Sequence, residues 1–103
     1  MKKINKFYVF TKKKGVPRKM SDALTFENKE EIITFLESYD IDENTQEIFI
    51  GVKSSTEDGT HHFLTLKESE KLHKELYKYL LQNSKKYKFT YLYGNSIKAF
   101  KWK

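Results

Sequence analysis

The side chains with which this sequence could do chemistry are three histidines and fourteen carboxylates, set among twenty lysines and arginines with no cysteine. His61 and His62 are neighbours, and on a strand neighbours point to opposite faces, so the pair does not hold one metal ion from the same side. One of them with His73 or a carboxylate would give a partial ligand set. An ordinary surface or half-buried histidine is the simpler account of each. The acidic run DIDENTQE begins with calcium-loop spacing, because Asp40, Asp42 and Asn44 fit the first, third and fifth ligand positions. It then fails at both diagnostic points: Thr45 stands where glycine is needed and Gly51 where glutamate is needed. Glu30 and Glu31 are sequence neighbours that diverge on a helix, which leaves no acid–base pair. Without cysteine there is no disulfide, thiol nucleophile or cysteine zinc site. No G-x-S-x-G, H-E-x-x-H or G-x-x-x-x-G-K-[ST] occurs. The expectation is a protein without catalytic residues, metal or cofactor, and not an enzyme.

Binding chemistry has more behind it. The segment KKKGVPRK offers Lys12, Lys13, Lys14, Arg18 and Lys19 on an exposed loop, and KKYKFTYLYGNSIKAFKWK adds Lys85, Lys86, Lys88, Lys98 and Lys101. Residues 1–20 hold eight Lys or Arg and no acid, residues 84–103 hold six lysines and no acid, and residues 21–50 hold nine acids against one lysine. Mobile cations of this kind contact phosphate without reading sequence. Between them stand aromatic strand residues, Tyr8, Phe10, Phe49, Phe63, Tyr91 and Tyr93, whose rings could stack on unpaired bases if they lie on an open sheet face. The same alternation is equally that of rings filling a core. The glycine- and aromatic-rich signature of the RNA-recognition motif is absent, since GTHHFLTL stands in its place.

Those residues must be positioned by a small set of elements. FYVFT (7–11) reads as a strand apolar on both faces, broken by Gly15 and Pro17. A short strand at 23–26 precedes a helix that starts at Asn28, with Glu31 three residues on. Its apolar side is Ile32, Phe35, Leu36 and Tyr39. In EIFIGVK, Ile48, Ile50 and Val52 alternate with Glu47, Phe49 and Gly51, as in a strand with one buried face. An Asp-Gly turn leads to HHFLTL. A second capping box at Thr65 and Glu68 opens a helix with Ser69, Leu72, Leu76, Tyr79 and Leu80 on one arc and Lys67, Lys71, Lys74 and Lys78 opposite, ending near Asn83 and Ser84. YKFTYLY and IKAFKW form a hairpin through Gly94-Asn95. A weak echo at an offset of forty residues, pairing Phe10 with Ile50, Leu36 with Leu76 and Tyr39 with Tyr79, makes each half a strand, turn, short strand and helix.

A chain of 103 residues, 38% hydrophobic and 33% charged, is one domain. The elements give an α+β class: an antiparallel or mixed sheet of about five or six strands, two amphipathic helices on one face, in ferredoxin-like or related order. That order would set the first and last strands side by side and merge the two basic ends. No apolar run approaches a membrane span, and the apolar stretch near the N-terminus is far too short for a signal peptide. With no cysteine, a cytoplasmic protein is expected. The expected partner is single-stranded or structured RNA or DNA. The alternative is a protein-binding module, such as a phage or mobile-element inhibitor of a host nuclease or RNA-guided defence complex. A homodimer through the open face fits the same features.

Overall fold

The computed structural model describes residues 3–17, 19, 23–56, 61–62, 65–92 and 96–102. Its elements run β1 (Lys3–Lys13), β2 (Leu24–Phe26), α1 (Lys29–Ser38), β3 (Gln46–Thr56), β4 (His61–His62), α2 (Leu66–Asn83), β5 (Tyr87–Leu92) and β6 (Ser96–Lys101). The two halves expected from the echo are present as β1-β2-α1 and β3-β4-α2, followed by the β5–β6 hairpin.

Both helices begin where side chains cap them. Asn28 accepts the Glu31 N–H at 3.1 Å and returns its own amide N–H to Glu31 Oε1 at 3.1 Å. Thr65 and Glu68 complete a capping box, with the Thr65 hydroxyl accepting the Glu68 N–H at 3.1 Å. These bonds occupy amides that the first helical turn leaves without partners. α2 ends at Asn83, where the Ser84 N–H still donates to Leu80.

All strand pairs are antiparallel, in the order β2-β1-β3-β6-β5, with β4 paired off this path to β3. The ferredoxin-like expectation is therefore corrected. β1 lies beside β2 and β3, and β3 separates the first strand from the last. The long β1–β3 ribbon, in register from Lys3↔Thr56 to Lys13↔Gln46, claims the flank of β1 that β6 would need. One flank of β3 is shared, with residues 48–50 pairing β6 and Ser54 and Ser55 pairing β4.

Alternation then sorts the side chains. Val9, Ile48, Ile50, Val52, Tyr87, Phe89, Ile97 and Ala99 form one buried cluster with Ile32 and Leu36 of α1 and Leu76 and Leu80 of α2. Tyr91 packs against its edge. Residues of opposite parity, among them Tyr8, Phe10, Lys12, Glu47, Phe49, Lys88, Lys98 and Phe100, stand on the other sheet face. In the gap on β3 between β6 and β4, the Val52 N–H donates to Nε2 of buried His73 at 3.1 Å. Nδ1–H of the same ring donates to the Ser69 carbonyl at 2.7 Å. His73 is thus a structural histidine that supplies the acceptor a missing strand would have offered. Among the described residues no group of three potential ligands could hold a metal ion, and no helix is long and apolar enough to cross a membrane.

Candidate functional site

The face turned away from the helices brings together cations from both acid-free ends. Lys6 and Lys12 come from β1, Lys88 from β5 and Lys98 from β6, and Lys53 of β3, from the middle of the chain, joins them. Glu47 of β3 is the one carboxylate among the described strand residues of this face. It sits between Lys12 Nζ at 2.8 Å and Lys98 Nζ at 3.1 Å. Hydrogen bonds from Lys12 and then Lys98 hold its carboxyl below the usual glutamate range. The two basic ends meet here across β3 rather than by direct pairing.

The rings of this face divide sharply. Phe10 is 4% exposed and Phe49 8%. Lys12 and Lys98 lie over Phe49 with their ammonium groups 5.6 and 5.7 Å from its centre, where the Glu47 carboxylate between them holds both. Phe10 packs edge-on against Tyr8 at 5.2 Å and lines a shallow cleft of about 200 Å³ with Lys12, Val16, Pro17 and Lys19. Tyr8 lies across Gly51, where any Cβ would run into its phenol. That is why a strand centre carries glycine here. Tyr8, Phe10 and Phe49 thus share a face as the sequence suggested, but Phe10 and Phe49 are buried in a second apolar layer, Phe49 under two lysines. Tyr91 falls on the helix-covered face, 6.2 Å from Tyr77. Phe63, Tyr93 and Arg18 lie outside the described residues, as does the Gly94-Asn95 turn.

The cations divide as well. Lys101 points to the opposite side, bonded to Asp40 at 2.6 Å, and Lys86 lies 4.0 Å from the same carboxylate. The Lys101 hydrogen bond lowers the Asp40 pKa, and the Asp40 partner raises that of Lys101. Lys85 is exposed at the start of the hairpin, its backbone N–H donating to Glu37. Lys13, Lys14, Lys19 and Lys88 are exposed, and among the described residues no carboxylate lies within ion-pair distance of them. Part of the segregated charge is therefore answered within the chain, where acids of the middle segment hold Lys12, Lys86, Lys98 and Lys101.

The acidic run is a self-capped turn. Asp42 accepts the Asn44 N–H at 3.0 Å and the Thr45 hydroxyl at 2.8 Å, bonds that lower its pKa. Its place is fixed by Tyr87, whose hydroxyl donates to the Tyr39 carbonyl at 2.6 Å and accepts the Ile41 N–H at 3.3 Å. Between this turn and the end of β6 opens a cleft of about 320 Å³, lined by Lys14, Glu43, Glu47, Lys88, Lys98 and Phe100 among others. Glu43 is engaged there, accepting the Lys101 backbone N–H at 2.8 Å.

Trp102, expected from its place at the end of the last strand to cover the sheet in part, was not among the binding residues named from the sequence. It continues the β6 alternation onto the open face, with Lys88 Nζ 5.9 Å from its ring, and it is 59% exposed. Its backbone N–H donates to the Lys86 carbonyl at 3.3 Å, which keeps the chain on β5 beyond the end of β6. The signal was the i, i+2, i+4 series Lys98, Phe100, Trp102, which puts the indole beside the lysines. No family model, curated protein or solved structure matches this chain.

Proposed function

We propose that the chain is a non-enzymatic nucleic-acid-binding protein whose open sheet face contacts the phosphates of single-stranded or structured RNA or DNA. One observation carries this reading: lysines from both acid-free ends share a face on which Glu47 is the one carboxylate among the described strand residues, and that residue is already held by two of them. Exposed Lys13, Lys14, Lys19 and Lys88 leave charge for a polyanion after internal pairing is counted. The buried Phe10 and Phe49 stiffen the platform and do not themselves take bases. Binding of this kind weakens with salt at a slope of roughly −0.7 per phosphate contact on single strands.

The test is anisotropy of labelled RNA and DNA oligonucleotides, titrated at two salt concentrations. The expected result is salt-sensitive binding that weakens across all sequences when Lys13, Lys14 and Lys19 are replaced together by Gln, with the fold intact. Exposed substitutions of this type change stability within about 0.5 kcal/mol. Absence of binding at low salt, or binding indifferent to salt, would overturn the reading in favour of a protein partner.

A further inference from the structure

Trp102 is the widest exposed ring on the described surface, and its surroundings are complementary to one kind of ligand. Lys88 stands over the indole and also lines the 320 Å³ cleft next to it, where Phe100 and Lys14 are further walls. The cleft sets Lys14, Lys88, Lys98 and Lys101 against Glu43 and Glu47, both of them already bonded within the chain, and an exposed aromatic plane beside such a hollow matches the two ends of a nucleotide, a flat base and a phosphate. An indole offers its face to any base that is not already stacked and paired within a duplex. The bond from the Trp102 N–H to the Lys86 carbonyl holds the residue's backbone beside β5 before any ligand arrives.

Resting on the nucleic-acid reading above, we infer that Trp102 and this cleft seat one unpaired nucleotide of a single strand, with the base stacked on the indole and its phosphate held by Lys88, Lys14 standing across the cleft. The buried Phe10 and Phe49 place no further base beside it. Among the described rings, discrimination between single strand and duplex therefore resides in Trp102, the one large exposed aromatic, whereas the open-face lysines bind both forms through phosphate alone.

The chain has a single tryptophan beside seven tyrosines, so emission excited selectively at the indole reports on this position alone. The full chain is titrated with unlabelled oligo-dT and oligo-U and with a duplex of equal length, and binding is followed in parallel by anisotropy of labelled strands. The expected result is quenching by the single strands and little change with duplex. Trp102→Ala should weaken single-strand affinity about 5- to 150-fold with an unchanged salt slope, the range that loss of one stacked base gives. Trp102→Phe should recover most of that loss. Lys88→Gln should instead flatten the salt slope by roughly 0.7. Single-strand binding by anisotropy without fluorescence change, or with the affinity of Trp102→Ala equal to the parent, would overturn this inference and leave the nucleic-acid reading standing. No anisotropy change at low salt would overturn both.

Discussion

His73 shows what a single residue does in this fold. Its ring is 1% exposed and holds its tautomer through two backbone bonds, donating from Nδ1 to Ser69 and accepting at Nε2 from Val52. A second proton on Nε2 would destroy the acceptor and put a charge in an apolar layer. Burial accordingly holds the pKa below its ordinary value of 6.5, with the Ser69 bond opposing weakly. A depressed native pKa means that the unfolded chain takes up a proton that the native chain refuses. The stabilising contribution is complete above about 6.5 and is lost as pH falls toward the native value, at up to about 1.4 kcal/mol per pH unit. Urea midpoints measured between pH 7.5 and 5 should fall accordingly. His73→Gln, which keeps an acceptor but does not titrate, should lower stability at neutral pH yet show a shallower decline on acidification. An identical decline in the two proteins would place the acid sensitivity outside His73.

The elements were legible in the sequence where their signals are local. Asn28 with Glu31 and Thr65 with Glu68 marked both helix starts, and the alternation around Ile48, Ile50 and Val52 marked the buried face of β3. The echo at forty residues also gave the order of elements in each half. Strand order was not legible, because which flank of β3 is taken is decided by long-range competition. Residues 7–9 of β1 pair with β2, yet their counterparts near 48–50 pair with β6, and β4 is pushed along to Ser54 and Ser55. Nor could alternation reveal that Phe10 and Phe49 are buried on a face without helices, since Phe49 is covered by Lys12 and Lys98 from neighbouring strands and Phe10 lies against Tyr8 and beside Val16, Pro17 and Lys19. The hairpin offers a direct contrast between a core ring and a surface ring. Phe89 is 6% exposed within the main cluster, and truncation to Ala should cost about 3–5 kcal/mol and lower the melting temperature sharply. Trp102, on the partner strand's extension, should melt near the parent when truncated. Equal melting of the two variants would show that the ring at Phe89 is not a core member.

At the scale of the whole molecule, the question is how a net charge of +6 is distributed between internal pairing and a partner. Glu47 is the pivot. Its carboxylate neutralises one charge while restraining two lysines from strands that begin at opposite ends of the chain. Glu47→Gln keeps the side chain's size, removes the negative charge and releases Lys12 and Lys98 to face a polyanion. Partly exposed pairs of this kind contribute about 1 kcal/mol or less, so the fold should survive with a small loss offset in no other way. Nucleic-acid affinity should rise at low salt, and the salt slope should steepen by up to about 1.4, two further contacts at roughly 0.7 each. The opposite outcome is equally informative. If Glu47→Gln melts near the parent but binds oligonucleotides no better, Lys12 and Lys98 serve only to roof Phe49. The open face would then be a closed apolar layer with a charged rim, and phosphate contact would fall to exposed Lys13, Lys14, Lys19 and Lys88.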